Sequence, residues 1–398
     1  MKPLLISEVF PPQTGGSGRW LYEIYRRLPR AVAAAGDHAG TEEFDADQEL
    51  AIERMPLKFD SWGVFSGRGV KNYWRAYRQL SRLARREQVS ELHCGKCLPE
   101  GWLAWMLKQT HGLPYVCYVH GEELSIGQTS RELAWMMRRV FGGSRLVVAN
   151  SENTARLLCE QWPVDARRLA VLHPGVDAQR FVPAERDEER RQKLGWSGRQ
   201  VVLTVGRLQI RKGHDTLIRA LPAIARQVPG VLYAIVGDGQ ERPRLEKLAS
   251  ELGVRDLVHF HGEPTDEELI GCYQQCDLFA LPNREVNGDF EGFGMVLVEA
   301  QACGKAVIAG ASGGTRETMQ PGRTGLIVPC EGPDRLAEAV IELLTDELRR
   351  ETMGHSARQW ALAQFDWSSL AQQAATILGI ERQPSRRQQR EPVCTAVQ

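Results

Sequence analysis

Short apolar runs recur along the chain, and stretches with the 3.6-residue periodicity of amphipathic helices separate them. The runs have the length and composition of buried strands: Leu4–Ile6, Tyr115–Val119, Leu146–Ala149, Val201–Val205, Val231–Val236, Leu278–Leu281 and Ala306–Ala309. Strands that alternate with helices indicate βαβ units and parallel sheets that are covered on both faces. The pattern therefore predicts an α/β protein.

The runs form two series, and a polar charge run over residues 183–193 separates them. We therefore predict two doubly wound, Rossmann-like domains that face each other across a cleft, where the carboxyl ends of the strands bind ligands. We predict a first domain over residues 1–185, a linker over 186–199 and a second domain over 200–365. A C-terminal helix over 366–380, able to pack back on the first domain, and a disordered tail over 381–398 follow.

One stretch of the first domain departs from this regularity. Residues 36–47 are polar and have no alternating apolar run, so no clear second strand is expected soon after the first helix. We therefore expect this side of the domain to be remodelled. Asp45 and Asp47 in this stretch have the D-x-D spacing of some divalent metal sites. No strong strand precedes them, so we predict no metal there.

Charge and cysteine usage narrow the functional classes. The 398 residues include 50 Lys+Arg and 50 Asp+Glu, so the net charge is zero and no nucleic-acid partner is expected. Nine scattered cysteines favour reduced core thiols in the cytoplasm, and the lone C-x-x-C of Cys94 and Cys97 is interpreted in the same way. We expect neither a signal peptide nor a membrane-spanning segment.

The loop after the first strand contains Gly15, Gly16 and Gly18, and a helical pattern begins at Arg19. Glycines between a strand and a helix let backbone N–H groups approach an anion, which the helix dipole also favours. The loop therefore suits a phosphate, although glycines that only turn the chain would give the same pattern. Its spacing is neither G-x-G-x-x-G nor that of a P-loop, which disfavours both of those nucleotide sites.

A second candidate site follows the first strand of the second domain. Arg207 and Lys212 are five residues apart, and Gly206 and Gly213 flank them. A guanidinium fork and an ammonium point charge can neutralise different oxygens of a diphosphate. A solvated basic turn is the plain alternative, but the position at the carboxyl end of a strand favours the diphosphate.

The most specific pattern is Glu291-Gly292-Phe293-Gly294, which an apolar helix carrying Glu299 follows. Eight residues of helix rise about 12 Å, so two carboxylates at this spacing can contact opposite ends of an elongated ligand. Carboxylates accept hydrogen bonds from vicinal hydroxyls, which sugars and ribose supply. The amides of residues 292–294 lie at the predicted helix start and can receive a phosphate.

Together these segments resemble the retaining glycosyltransferases of family 4, which have the GT-B architecture of two facing Rossmann-like domains. The resemblance covers the second domain almost fully, over residues 201–344, and the first domain more patchily. Glu291 and Glu299 match the family's E-x7-E motif. The segment 118–123, which contains His120, is similar to the family's active-site histidine segment.

The resemblance implies a role for each candidate residue. Glu291 would bind donor-sugar hydroxyls, Glu299 the ribose hydroxyls, and Arg207 and Lys212 the diphosphate, with the Gly16 amide on its distal phosphate. The implied catalytic residues are His120, Glu291, Arg207 and Lys212, and the implied donor-binding residues are Gly15, Gly16, Arg207, Lys212, Gly292, Phe293, Gly294 and Glu299.

The implied function is a retaining hexosyltransferase that moves mannose, glucose or a related hexose from a nucleotide-diphosphate sugar to a glycan or lipid-linked acceptor. No metal or other cofactor is expected. A nucleotide-sugar epimerase of the same architecture and a non-catalytic nucleotide-sugar-binding protein stay open as alternatives. An NAD-dependent oxidoreductase is disfavoured, because Arg242 stands where the third glycine of a motif beginning at Gly237 would lie.

Residues 71–86 predict an amphipathic helix. Its apolar stripe comprises Tyr73, Ala76, Tyr77, Leu80, Leu83 and Ala84, and its other positions include Arg75, Arg78, Arg82, Arg85 and Arg86. Such a helix suits peripheral contact with anionic lipids on the inner face of the cytoplasmic membrane. A layer helix with a solvated basic face is the plain alternative. The expected location is the cytoplasm.

Overall fold

The computed structural model describes residues 1–13 and 15–380, so the tail predicted over 381–398 lies outside the described residues. The first seven strands are β1 Pro3–Ser7, β2 Val32–Gly36, β3 Ala51–Met55, β4 Glu91–Cys94, β5 Tyr115–Val119, β6 Leu146–Ala149 and β7 Leu169–Val171. They form one parallel sheet in the order β3-β2-β1-β4-β5-β6-β7. The order reverses direction beside β1, which places a crevice at the carboxyl ends of β1 and β4.

The remaining six strands are β8 Gln200–Val205, β9 Val231–Val236, β10 Val258–Gly262, β11 Leu278–Leu281, β12 Val307–Gly310 and β13 Gly325–Val328. They form a second parallel sheet in the order β10-β9-β8-β11-β12-β13. Successive strand residues enter different apolar clusters: Val202 packs on one face of this sheet, and Val201 and Leu203 pack on the other. Both faces are therefore buried, as the apolar runs predict.

Helices cover both faces of each sheet. In chain order they are α1 Gly16–Tyr25, α2 Thr41–Ala46, α3 Gly67–Arg86, α4 Trp102–His111, α5 Glu122–Gln128, α6 Arg131–Gly143, α7 Glu152–Gln161, α8 Glu188–Lys193, α9 His214–Gln227, α10 Arg242–Glu251, α11 Asp266–Gln275, α12 Met295–Ala302, α13 Asp334–Thr345, α14 Glu347–Phe365 and α15 Trp367–Leu378. The predicted fold class, two Rossmann-like α/β units, is confirmed.

The expectation that the first domain lacks a clear second strand is wrong. β2 is an alanine-rich strand that ends where the polar stretch 36–47 begins, and all five of its residues are buried. It pairs with β1 on one side and with β3 on the other. Alanine has a low β propensity, so burial between two neighbouring strands decides this conformation. The polar stretch itself contains α2.

The helix predicted over 71–86 is α3, and its apolar stripe faces the core of the first domain. The stripe packs in the same cluster as Leu4 and Ile6 of β1. The first sheet therefore already covers it, and the stripe is not available to a membrane. The arginines of α3 are exposed. This arrangement is that of a layer helix with a solvated basic face.

The two segments between and after the sheets both pack on a domain. In the predicted linker 186–199, Arg191 of α8 is only 1% exposed and lies 3.3 Å from Asp277, next to β11. The charge run is therefore not wholly solvated, and it packs with the second sheet. After α14 the chain returns to the first domain, where Trp367 and Leu370 of α15 join Trp20 of α1 in one apolar cluster.

Candidate active site

The N-termini of α1 and α12 lie next to each other where the two domains meet. Gly16 begins α1, and a Cβ atom added there would lie 3.3 Å from Sδ of Met295, which begins α12. The first amides of a helix have no partner within the helix, and the dipole makes this end favourable for an anion. The structure thus brings Gly15 and Gly16 of the first domain to the loop before α12, as a shared phosphate site requires.

The glycines of the loop before α12 are needed for different reasons. Gly294 caps α12 with φ 94°, a left-handed conformation that glycine adopts without strain. Gly292 has no such φ, but a Cβ atom there would lie 2.2 Å from the carbonyl oxygen of His120 in the other domain. Phe293 between them is buried and stacks on His173, with ring centroids 5.2 Å apart. The loop is therefore shaped by contact between the domains.

Glu291 is buried where two cations converge on one of its oxygens. Its Oε2 atom lies 2.6 Å from Nζ of Lys212 and 2.6 Å from a terminal nitrogen of Arg211. Burial alone would raise the pKa of Glu291, but the charges of Lys212 and Arg211 prevail and lower it below its ordinary value. Glu291 is thus a carboxylate at neutral pH and can accept hydrogen bonds from ligand hydroxyls.

The structure places the two predicted phosphate-binding cations differently. Lys212 is buried against Glu291, whereas Arg207 is exposed and forms no ion pair with any residue in 1–13 or 15–380. Sequence reasoning missed Arg211, which pairs with Asp289 at 3.2 Å as well as with Glu291. The sequence signal that could have identified Arg211 is its position directly before Lys212, because two adjacent cations in one turn need anionic partners.

Glu299 lies within α12, whereas Glu291 lies before this helix, which begins at Met295; the expectation that eight helical residues separate the two carboxylates is therefore wrong. The hydroxyl of Tyr273 donates to its Oε2 atom at 2.7 Å, while Oε1 accepts no hydrogen bond from the described part of the chain. Burial raises the pKa of Glu299, and the charges of Arg19 and Arg180 act against that rise. Because Arg19 belongs to α1, Glu299 also faces the boundary between the domains.

His120 follows β5 and is held by three contacts. Its Nε2 atom lies 2.6 Å from the carbonyl oxygen of Gly95, its backbone N–H donates to Glu123 at 2.9 Å, and its ring meets the edge of Trp20. A carbonyl only accepts, so Nε2 is assigned a proton, and in the tautomer that carries its proton there Nδ1 is an acceptor. Nδ1 makes no hydrogen bond to the residues that the structure describes, which leaves it available to a ligand.

A carboxylate of the second domain caps a helix of the first. Glu317 accepts hydrogen bonds from the backbone N–H groups of Glu152 at 2.7 Å and Asn153 at 2.9 Å, at the N-terminus of α7. It also lies 2.9 Å from Nε2 of His173. We call this set the Glu317 clasp. An anion at a helix N-terminus is stabilising, so the clasp holds the two domains together beside the cleft.

The remaining candidates do not assemble into a site. Asp45 of the D-x-D pairs with Arg54 at 2.6 Å. Within the described ranges, no three His, Cys, Asp or Glu side chains gather as a metal site would need. Cys94 and Cys97 are free and buried, and burial raises the pKa of both thiols. None of the described helices is long and apolar enough to cross a membrane.

Two protein families match successive parts of the chain. The first, described as Glycosyltransferase Family 4, matches residues 14–180, and the second, described as Glycosyl transferases group 1, matches residues 185–360. Together the two matches span both domains.

Individual proteins are similar over the same length. A GDP-mannose-dependent alpha-(1-6)-phosphatidylinositol monomannoside mannosyltransferase of Mycobacterium tuberculosis is 36% identical over 386 residues, which cover 94% of this chain and 97% of that protein. A D-inositol 3-phosphate glycosyltransferase of Geodermatophilus obscurus is 32% identical over 384 residues, which cover 89% of this chain and 82% of that protein.

The fold is also that of solved structures. Anabaena Alr3699/HepE in complex with UDP-glucose superposes with a TM-score of 0.81 at 23% identity, covering 95% of this chain and 100% of that one. The predicted GT-B fold and the predicted transferase activity are therefore confirmed. This chain belongs to the family 4 glycosyltransferases.

Proposed function

We propose that the chain transfers a mannosyl residue from GDP-mannose to a mannosylated phosphatidylinositol lipid. The observation that carries the proposal is the 36% identity to the Mycobacterium tuberculosis mannosyltransferase over 94% of this chain and 97% of that protein. The similarity includes the first domain, which faces the acceptor in our interpretation, as well as the second. D-inositol 3-phosphate, named in the glycosyltransferase of Geodermatophilus obscurus, serves as the second acceptor in the assay below.

In the proposed donor complex, the diphosphate lies between the N-termini of α1 and α12. The amide of Gly16 binds the distal phosphate, Lys212 neutralises it from the Glu291 side, and the exposed Arg207 closes on it from solvent. Glu291 receives sugar hydroxyls on a carboxylate that Lys212 and Arg211 keep ionised. Oε1 of Glu299 receives a ribose hydroxyl.

Transfer proceeds with retention at the anomeric carbon in this proposal. The leaving diphosphate accepts the proton of the acceptor hydroxyl on the same face of the sugar, and Arg207 and Lys212 stabilise the charge that grows on it. A double displacement would instead need a carboxylate nucleophile. Oε1 of Glu123 accepts a hydrogen bond from the His120 amide at 2.9 Å, while its Oε2 atom has no partner among the described residues, so the front-face route rests on the family resemblance. Nδ1 of His120 accepts a hydrogen bond from the donor sugar.

The test combines donor binding with product analysis. A donor at a hundred times its Kd stabilises the folded state by about 2.7 kcal/mol, so GDP-mannose should raise the Tm clearly more than UDP-glucose at equal concentration. Purified protein should then transfer mannose to phosphatidylinositol monomannoside rather than to D-inositol 3-phosphate. The NMR coupling constants of the product should show an α linkage. A β linkage, or transfer only to the soluble phosphate, would contradict the proposal.

We further propose that transfer needs no divalent metal. Asp45, a residue of the D-x-D spacing, is paired with Arg54, while Lys212, Arg211 and two helix N-termini supply positive charge at the donor site. Rates in EDTA should equal rates in added Mg²⁺ within about twofold. Loss of transfer in EDTA that Mg²⁺ restores would contradict this part of the proposal.

Peripheral contact with an anionic membrane is proposed through the outer face of α3, not through its apolar stripe. Val70 and Trp74 are each 55% exposed on this helix, and Phe65 just before it is 77% exposed. The guanidinium of Arg78 lies 4.5 Å from the centre of the Trp74 ring. Aromatic rings and arginines on one exposed face are typical of helices that lie in the lipid interface.

Flotation with vesicles that contain an anionic lipid tests this contact. Trp74→Ala and Arg78→Glu should reduce the bound fraction at low salt, and high salt should release the wild type. Arg335→Glu on α13, which is also an exposed arginine, is the matched control and should float as the wild type does. Equal flotation of all four proteins, or none, would show that the face is only solvated.

A further inference from the structure

The chain makes a tight turn just before Glu291. The backbones of Val286 and Asp289 exchange two hydrogen bonds, each 2.9 Å long. Asn287 and Gly288 lie between them with φ 53° and 79°, the left-handed values that a type I′ turn requires and that the Asn-Gly pair favours. We call residues 286–289 the Asn-Gly turn. Its own sequence therefore fixes the backbone of Asp289, two residues before Glu291.

The Asn-Gly turn also contacts the first domain. The hydroxyl of Ser125, on α5, donates to the carbonyl oxygen of Gly288 at 2.5 Å. Phe290, which follows the turn, is buried, and a Cβ atom on Gly121 would lie 3.0 Å from its ring. Gly121 comes directly after His120. The turn is thus held from the other side of the cleft, beside the segment that carries His120.

Arg211 joins the Asn-Gly turn to Glu291. Its Nε atom lies 3.2 Å from Oδ1 of Asp289, and a terminal nitrogen lies 2.6 Å from Oε2 of Glu291. The backbone carbonyl of Arg211 accepts a hydrogen bond at 2.9 Å from the N–H of Arg284, whose guanidinium pairs with both oxygens of Asp215. A guanidinium is planar and rigid, so two carboxylates bound to it are held in a fixed relative orientation. Asp289 and Glu291 are therefore positioned as a unit.

Both cations at Glu291 use the same oxygen. Nζ of Lys212 and the terminal nitrogen of Arg211 each lie 2.6 Å from Oε2. Oε1 accepts no hydrogen bond from the residues that the structure describes, and it is not enclosed by the protein. A carboxylate oxygen only accepts, so Oε1 is free to receive a hydroxyl. Two cations on one oxygen fix the carboxylate, and with it the direction in which Oε1 points.

We propose that Arg211 and Asp289 are positioning residues: Asp289 holds Arg211, Arg211 holds Oε2 of Glu291, and Oε1 alone is left to receive a hydroxyl of the donor sugar. The proposal rests on the proposed function for the sugar that Oε1 receives. Arg211 and Asp289 act on the sugar through Glu291 and do not contact it. The Asn-Gly turn, held by Ser125 of the other domain, supplies the rigid backbone for this arrangement.

Calorimetry on the purified protein tests this arrangement through the Kd of GDP divided by the Kd of GDP-mannose, a ratio that reports contacts to the sugar alone. Loss of a hydrogen bond to a charged group predicts a fall of about tenfold in this ratio for Arg211→Met and about threefold for Asp289→Asn, with the Kd of GDP unchanged within about twofold. Arg211→Lys should recover part of the loss. Glu285→Gln removes an exposed acid of the same loop and, as the matched control, should leave the ratio unchanged.

A double variant shows whether Arg211 acts through Glu291. Adding Arg211→Met to Glu291→Gln should change the ratio no further, within about twofold, because the residue that Arg211 positions is already altered. A further tenfold fall would show that Arg211 contacts the sugar itself, and it would overturn the positioning role. The side chain of Asp289 is 49% exposed, so Asp289→Asn decides the outcome if Arg211→Met does not fold.

A second pair of ligands separates this inference from the proposed function. The same ratio is measured with UDP and UDP-glucose. A wild type that binds UDP-glucose but not GDP-mannose refutes the proposed function, and a fall of the UDP ratio in Arg211→Met and Asp289→Asn still supports the positioning role. An unchanged ratio in both variants, an equal loss of affinity for nucleotide and nucleotide sugar, or a wild type that binds neither nucleotide sugar overturns it.

Discussion

The two sides of the cleft hold their buried carboxyls in opposite ways. Glu291, on the second domain, has two cations within 2.6 Å, and they lower its pKa. Glu100, on the first domain, has one backbone amide at 2.7 Å and an unpartnered oxygen, and burial raises its pKa to about 8. The carboxylate of the second domain is therefore ion-paired within its own domain, whereas the carboxyl of the first domain keeps one buried oxygen without a partner among the described residues.

The difference follows from how each side is built. Glu291, Lys212 and the N-terminus of α12 come from loops of one sheet, and their charges neutralise one another within that domain. On the first domain, the polar residues come from three strand ends: Glu8 follows β1, Lys96 and Glu100 follow β4, and His120, Glu122 and Glu123 follow β5. A nucleotide diphosphate is always the same highly charged ligand, so a fixed set of partners suits it.

We expect the largest loss of activity when the ion pair between Glu291 and Lys212 on the second domain is removed. Glu291→Gln and Lys212→Ala should each reduce kcat/KM at least about a hundredfold, because each leaves a buried charge with fewer partners and removes a contact to the donor. Initial rates with GDP-mannose measure the loss, and circular dichroism should show an intact fold. Near-normal turnover by either variant would remove these residues from the donor site.

Replacing His120, which follows β5 on the first domain, tests whether this residue contacts the donor sugar or the nucleotide. His120→Ala should reduce kcat about 30- to 100-fold while the affinity for GDP stays within about twofold, because Nδ1 contacts the sugar and not the nucleotide in our proposal. Single-turnover rates and GDP titrations separate the two quantities. Weakened GDP binding with an unchanged chemical rate would place His120 in nucleotide binding instead.

We expect a smaller change in the donor KM when the Glu317 clasp, which joins the two domains, is removed. Glu317→Ala removes a helix cap worth about 1 kcal/mol, so the donor KM should rise about fivefold as the domains close less readily. Glu338→Ala, an exposed acid of α13, is the matched control and should leave the KM unchanged. Equal KM values for wild type and Glu317→Ala would show that the clasp does not contribute to closure.

The last expected effect concerns the free energy of unfolding, whose dependence on pH should have opposite signs on the two sides. Glu100 keeps its proton up to about pH 8, whereas a glutamate of the unfolded chain loses it near 4.5. Between these values the native state binds the extra proton, so the free energy of unfolding falls as pH rises. Glu100→Gln should therefore become more stable relative to the wild type as pH rises from 5 to 8, by up to about 1.4 kcal/mol per pH unit.

Glu291→Gln provides the contrasting variant. The pKa of Glu291 is lowered in the native state, so its carboxylate stabilises the fold above the unfolded value, and that contribution is lost as pH falls through the native pKa. The variant should thus be less stable than the wild type at pH 7. Urea denaturation of both variants at pH 5 and pH 8 measures the difference. Parallel pH profiles for Glu100→Gln and Glu291→Gln would contradict the comparison.

Much of this protein follows from the sequence alone, because the deciding interactions are local. Buried parallel strands give continuous apolar runs, and these predicted two sheets and the edge at which ligands bind. On the second domain, Glu291 and Glu299 belong to one loop and helix, and Arg207 and Lys212 belong to one turn. Spacing within a single segment therefore predicts each pair, and their binding of the donor stays a prediction.

Other features depended on contacts between distant segments. The alanine run of β2 became a strand because β1 and β3 lie on either side of it. The contact between Glu8 and Glu100 joins residues 92 positions apart, and the Glu317 clasp joins positions 165 and 164 apart. No local pattern encodes which strand ends become neighbours. Strand order and domain packing decided these contacts. Burial removes water, so a buried polar atom can pair only with the groups that the fold brings within hydrogen-bond distance.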